Sequence, residues 1–366
     1  MSKEVKEPAV RMIKRDTIST AKAWGIRLAA VALSLIVAGL VIVAITKQNP
    51  IQLYLGIIDG AVGSSRRVWV TIRETLVLLC IAIGLTPAFK MKFWNIGAEG
   101  QILMGGMATA ALMIYAGDAM PNWLLLILIF IASAAAGLIW GLIPAVFKAY
   151  FNTNETLFTL MLNYVAMQLV TFAIVFWENP SGSNTVGIIN AAGQKGWFPS
   201  IFGNMYGLNV IVVLIITLGM YVYMKYSKQG YEIAVVGESQ NTAHYAGINV
   251  KKVIIRTMML SGAICGIAGC LIVSGASHTI STSTDGGRGF TAIIVAWMSK
   301  FNPFAMILVS AFLVFMQQGS IQIASQFGLN ENASDIITGI LLFFLIGCEF
   351  FINYKLEWKK NHKEGK

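Results

Sequence analysis

The residues able to do chemistry in this chain are few, and they cluster. In Lys90-Met-Lys-Phe-Trp-Asn-Ile-Gly-Ala-Glu-Gly-Gln101, the side chains of Asn95, Glu99 and Gln101 stand between two apolar runs, Glu74–Phe89 and Ile102–Ala116. In such flanks they sit at or near membrane depth, where a carboxylate is costly unless it faces protein or water. Residues of these types mark a passage for something polar. A further amide, Asn163, lies two turns into another apolar run and needs a partner; pathway lining and helix–helix hydrogen bonding both suit it. Arg288 closes the polar stretch 275–288, which leads into an apolar piece too short to cross a bilayer alone. Backbone left unpaired at that depth is tolerated only where protein or a water-filled cavity covers it. The pairing of Asn95–Gln101 with Thr284–Phe290, in opposite halves of the sequence, is therefore a second pointer to a central pathway. Whether Glu99 touches the solute or only braces the helices around it stays open, with bracing the slightly better fit.

Other chemistries lack their residues. His244 and His278 have no Cys or carboxylate partners at ligand spacing, which argues against a metal site. No nucleophile elbow or zinc-protease helix motif occurs, so an enzyme within the membrane has little support. No Gly-x4-Gly-Lys-Ser/Thr occurs either, so any ATP that drives this chain, with its magnesium, binds to another one. Cys80, Cys265, Cys270 and Cys348 all fall in apolar segments and read as buried free thiols.

The elements that must position these residues are helices. The 366 residues are 56% hydrophobic and 12% charged, about half the charge of a soluble protein. Apolar runs of about 20 residues recur. The expectation is an all-α, polytopic helical membrane protein, with spans near 26–46, 72–89, 97–116, 123–147, 156–177, 209–225 and 253–274. A short piece at 289–299 and spans at 303–317 and 335–353 bring the number to ten. No cleavable signal peptide is evident, because the first apolar run is too long and lacks a cleavage site. With both termini cytoplasmic, 21 of the 27 Lys and Arg residues fall inside and six outside, as the positive-inside rule requires. The net charge of +10 then reflects basic cytoplasmic loops rather than nucleic-acid binding. The layout is a tail at 1–25, a transmembrane domain at 26–353 with a large outer loop at 178–208 and an inner loop at 226–252, and a tail at 354–366.

Within the inner loop, Gly237-Glu-Ser-Gln-Asn-Thr-Ala-His-Tyr-Ala-Gly247 predicts a short helix over about 241–246. Ser239 or Asn241 caps its start and Gly247 stops it. Two turns isolated in a loop are marginal alone; the helix makes sense if it docks into a partner's groove, and otherwise the segment is a solvated linker. Gly137, Gly141, Gly262, Gly266 and Gly269 are small-residue faces for close helix packing. Asn154 and Glu155 suit capping at a helix start and a functional role equally well. Pro87 and Pro144 read as kinks or helix ends.

Three segments together carry a family resemblance. Phe93-Trp-Asn-Ile-Gly-Ala-Glu-Gly-Gln101 resembles the signature of bacterial ABC-importer permeases of the branched-chain amino acid, ribose and nucleoside superfamily, in its simple-sugar or nucleoside branch. Asn154-Glu-Thr-Leu-Phe-Thr-Leu-Met-Leu-Asn-Tyr164 resembles that branch's Asn-Glu…Met-Leu-Asn-Tyr segment. Gly237–Ile248 with Ser261–Gly269 resembles its coupling loop and the following span, and the likeness covers about residues 26–353. It implies a multi-pass subunit of the bacterial plasma membrane, importing a nucleoside or simple sugar. Its implied partners are two ATP-binding cassette ATPases, a second related permease or a second copy of itself, and a substrate-binding lipoprotein. No cofactor belongs to this chain. Asn95, Glu99, Gln101, Asn163 and Arg288 are the expected pathway residues. Gly237, Glu238, Asn241, His244, Tyr245 and Gly247 are those expected at the ATPase. One departure bears on the cargo: nucleoside-type members often carry Gly-Phe-Asp-Gly-Ile-Ala-Val-Ala-Leu-Leu-Gly where this chain has Gly289-Phe-Thr-Ala-Ile-Ile-Val-Ala-Trp-Met-Ser299. A sugar or other small polar solute therefore stays open. The rival reading is a secondary transporter with Glu99 as its proton-coupling carboxylate.

Overall fold

A computed structural model of the chain describes residues 10–15, 18–46, 50–201, 203–328 and 331–358. The described chain is helical apart from its two ends and the loops, and it divides into two compact units. The divisions fall after Arg67 and after Val314.

One unit joins the first 67 residues to those from Phe315 onward. Here α1 (Thr20–Thr46) packs along α13 (Glu331–Asn353). Arg27 ties them by an ion pair to Glu349 at 2.6 Å. A helix absent from the sequence-based layout, α2 (Pro50–Val62), fills part of what reads as an outer loop. The all-α expectation holds, with one short ribbon beside the helices. Strand β1 (Val10–Lys14) pairs antiparallel with β2 (Tyr354–Trp358), Val10 opposite Trp358 and Lys14 opposite Tyr354. Such a ribbon is marginal alone. It forms because the packed α1 and α13 bring the two tails together, a proximity no local pattern encodes.

The other unit, Val68–Val314, holds most of α3 (Ser65–Lys90), then α4 (Ala98–Ala116), α5 (Asn122–Phe151), α6 (Glu155–Trp177) and α7 (Gly207–Tyr226). After these come α8 (Lys228–Glu238), α9 (Gln240–Tyr245), α10 (Val250–Ile272), α11 (Arg288–Met298) and the first half of α12 (Pro303–Gln326). The last turn of α10 widens into a π turn over Val273–Ser277. At the centre α10 packs on α4 and α5, and glycines make that approach possible. A Cβ at Gly266 would meet the Ser133 carbonyl at 2.2 Å, one at Gly262 the Gly137 carbonyl at 2.3 Å, and one at Gly269 the Ile102 carbonyl at 2.2 Å. Backbones this close gain van der Waals contact over long helix faces, the main source of helix association in lipid. Of the small residues read from the sequence, Gly137, Gly141, Gly262 and Gly266 form the α5–α10 seam, and Gly269 packs on α4.

Among the described residues, eight helices are long and apolar enough to cross a membrane. The 19 residues of α4 carry a polar first turn that dilutes their hydropathy. At 11 residues, α11 rises only about 16 Å, half of a bilayer core of about 30 Å. The inner loop is more ordered than its composition suggests, since α8 occupies its first half. Neither Pro87 nor Pro144 ends its helix: both lie inside, in α3 and α5.

Candidate functional site

The polar patch is a knot of hydrogen bonds that fixes how the chain enters α4. Asn95 is fully buried, and its side chain faces Gln101 at 3.4 Å and the Ser261 hydroxyl of α10 at 3.2 Å. Its carbonyl oxygen accepts from the Gly97 N–H at 3.0 Å. From α6, the Thr159 hydroxyl accepts from the Ile96 N–H at 3.2 Å. Asn163 donates to the Ile96 carbonyl at 2.9 Å and accepts from the Gly100 N–H at 2.9 Å. The unpaired amides at a helix start need such partners, which α6 supplies, while the α10 hydroxyl holds the Asn95 side chain. Asn95, Gln101 and Asn163, three of the five expected pathway residues, are thus brought together. They are 0, 1 and 4% exposed, turned toward protein.

Glu99 differs from these neighbours. It is half-buried, and its Oε1 is sealed from solvent without a hydrogen-bond partner. The start of α11 is pressed against it, so that a Cβ on Gly289 would come within 2.4 Å of the Glu99 Cγ. The Phe290 N–H reaches its carboxylate, and the positive end of the α11 dipole favours an anion there. Asp285 lies close enough to repel it. The segments 95–101 and 284–290, singled out separately in the sequence, meet at this carboxylate. From there α11 runs to Trp297, which stacks on Trp94 with ring centroids 5.4 Å apart and also meets Phe89 and Phe301.

Arg288 faces a different partner. Its guanidinium donates to Glu74 at 2.7 and 3.1 Å, and Arg73 grips the other oxygen of the same carboxylate. Arg73 also lies over the Tyr206 ring, 5.1 Å from its centroid. The Glu74 role is invisible locally, because the residue opens an apolar run and its partner is 214 positions away.

The short inner helix is where the sequence places it, shifted by one residue. Ser239 caps α9 by accepting from the Thr242 N–H at 3.2 Å. The exit is a Schellman motif: Ile248 N–H bonds the Ala243 carbonyl at 2.9 Å, Gly247 N–H bonds the His244 carbonyl at 3.0 Å, and Gly247 takes φ +73°. That conformation favours glycine. Ala243 is buried in a cluster with Met91, Phe93, Ile233 and Met258. Glu238, Asn241, His244 and Tyr245 are exposed, Tyr245 to 94%. Gly237 is the anchor, since a Cβ there would meet the Lys90 carbonyl at 2.0 Å. The helix is therefore mounted on the segment that leads, within ten residues, to Glu99.

The permease component family of branched-chain amino acid transport systems matches residues 68–346. A guanosine ABC transporter permease of Bacillus subtilis is 28% identical over 84% of this chain and 89% of its own length. A nucleoside ABC transporter permease of Lactococcus lactis subsp. cremoris is 26% identical over 87% of this chain and 89% of its own. A glucose ABC transporter permease of Haloferax volcanii is 25% identical over 93% and 92%. These relatives do not favour the proton-coupled alternative.

Proposed function

The chain belongs to the family of permease components of branched-chain amino acid transport systems, and we propose that its own cargo is a nucleoside or simple sugar, moved by a separate ATPase acting through the 237–247 helix. It is a permease subunit of an ABC importer and a multi-pass protein of the plasma membrane. The cargo reading rests on relatives named for guanosine, nucleosides and glucose. All three are neutral solutes rich in hydroxyls, and a half-buried carboxylate, an acceptor only, suits hydroxyl donors. In this reading Glu99 is the solute contact, at the meeting of α4 and α11, and Asn95, Gln101 and Asn163 hold it in place. Arg288, locked to Glu74, sets the position of α11. The assembly comprises two ATPases, a second permease (related or identical) and an outer solute-binding lipoprotein.

The observation that carries the drive mechanism is the mounting of α9. Its polar face is exposed, while its buried Ala243 shares a cluster with Met91, and Gly237 at the end of α8 meets the Lys90 carbonyl just before the Glu99 turn. A push on the exposed face is passed to the site through packed backbone rather than through a flexible loop. Replacing 241–246 by a Gly/Ser linker is expected to abolish uptake while membrane insertion persists. Normal solute-stimulated ATP hydrolysis by the assembled transporter carrying that linker would overturn the coupling role.

A further inference from the structure

Three lysines that the sequence scatters over separate inner segments converge on one cavity. Lys90 ends α3, Lys225 lies in the last turn of α7, and Lys300 follows α11. Together they line a cavity of about 480 Å³. No carboxylate lines it, and none forms an ion pair with any of the three among the described residues. Tyr221 and Asn302 add hydrogen-bonding groups to the wall, and Met220 and Met224 make an apolar side. Lys225 donates to the Tyr221 hydroxyl at 2.9 Å and lies 5.3 and 5.2 Å from the Tyr221 and Tyr226 ring centroids.

Several features suit an anionic occupant. Three cations sharing a cavity repel one another, so the arrangement is favourable when an anion sits among them. Lys300 and Phe301 both hold positive φ, +48° and +60°, a conformation that is uncommon away from glycine and recurs at ligand clamps. The helix ends and tyrosines place the cavity at a membrane–water boundary. By the charge bias, that boundary is the cytoplasmic one, where anionic lipids gather and basic pockets between helices take their headgroups. We propose that this cavity binds the phosphate of an anionic phospholipid headgroup, its glycerol and first methylenes lying along Met220 and Met224.

The test uses the full chain in a zwitterionic detergent, with short-chain phosphatidylglycerol, phosphatidylcholine and inorganic phosphate as probes. Native mass spectrometry and the thermal midpoint are the readouts. Phosphatidylglycerol is expected to be retained and to raise the midpoint, and phosphatidylcholine to do neither. Combined Lys90→Gln, Lys225→Gln and Lys300→Gln should weaken phosphatidylglycerol about a hundred-fold, whereas the three arginine replacements keep most of the binding. Should the triple glutamine variant fail to fold, Lys300→Gln alone should weaken binding about five-fold. Loss of equal size from Lys228→Gln, Lys251→Gln and Lys252→Gln, lysines outside the cavity, would overturn the site in favour of general surface charge. Lysine-dependent binding of inorganic phosphate that displaces the lipid would keep the phosphate contact and overturn the lipid as its source.

Discussion

At the residue scale, Asn163 of α6 and Glu99 of α4 belong to one polar cluster yet make different contacts. Asn163 satisfies two backbone groups that would otherwise be buried and unpaired. Asn163→Leu is therefore expected to cost roughly 1–3 kcal/mol for each group orphaned, seen as a lower thermal midpoint in detergent whether or not solute is present. Glu99 leaves one oxygen unpaired and, among the described residues, accepts only from the Phe290 N–H at the start of α11, so removing its carboxylate orphans less than removing Asn163 does. Glu99→Ala should leave the midpoint nearly unchanged while uptake falls at least ten-fold; an equal fall in both would make Glu99 a brace. His278 gives a pH prediction on the outer side. Its ring lies flat on Trp197 at 3.6 Å. Burial, and then the nearby Arg73 cation, hold its pKa below the ordinary histidine value. The packed loop thus favours neutral His278, and the opened loop takes up a proton near pH 6.5. Loop stability is full above about pH 6.5 and is lost as the pH falls through the lowered native value. The Ile189 and Phe198 N–H groups bond the His278 and Ser274 carbonyls, and their protection from hydrogen exchange should fall on acidification once the intrinsic slowing of exchange is divided out. His278→Phe should remove that dependence.

At the scale of elements, α10 is held by backbone proximity rather than by polar contacts. Gly266→Val would add three carbons facing the Ser133 carbonyl, which lies only 2.2 Å from where the first of them, the Cβ, would sit. Overpacking of this kind costs about 1–3 kcal/mol or more, and separation of α5 from α10 should expose Cys270, which is buried against Ser133 of α5, to a maleimide that cannot reach it in the native chain. What the sequence reveals here follows from range. The caps at Asn154 and Ser239, the Gly247 stop and the glycine seam are local patterns, and each is legible from a few neighbouring residues. The Glu74–Arg288 pair, the β1–β2 ribbon and the helix at 228–238 are not. The first two join distant segments, and α8 is held by Ile233 and Val236, which pack into the cluster beneath α9, so its stability is tertiary. The amides at 95, 101 and 163 could be read as buried polar groups, but only their partners assign them to holding α4.

At the scale of the whole molecule, the coupling role proposed for α9 requires a route by which a push there reaches the Glu99 carboxylate. The path available is short: the exposed face of α9, buried Ala243, the Gly237–Lys90 backbone contact, Met91 and Phe93, and then the hydrogen-bonded turn from Asn95 to Glu99. Packed elements of this sort transmit displacement because they shift between discrete arrangements instead of yielding gradually. Two variants separate contact from transmission. Tyr245→Ala with His244→Ala changes only exposed side chains, and is expected to weaken capture of the ATPase with no effect on the permease's own stability. Gly237→Ala keeps the exposed face but inserts a methyl against the Lys90 carbonyl, parting α8 from the start of the Glu99 turn. The assembled complex should still form and hydrolyse ATP, with solute stimulation and uptake both lost. Retained stimulation in the Gly237→Ala complex, measured beside normal ATPase capture, would mean that the push travels by another route.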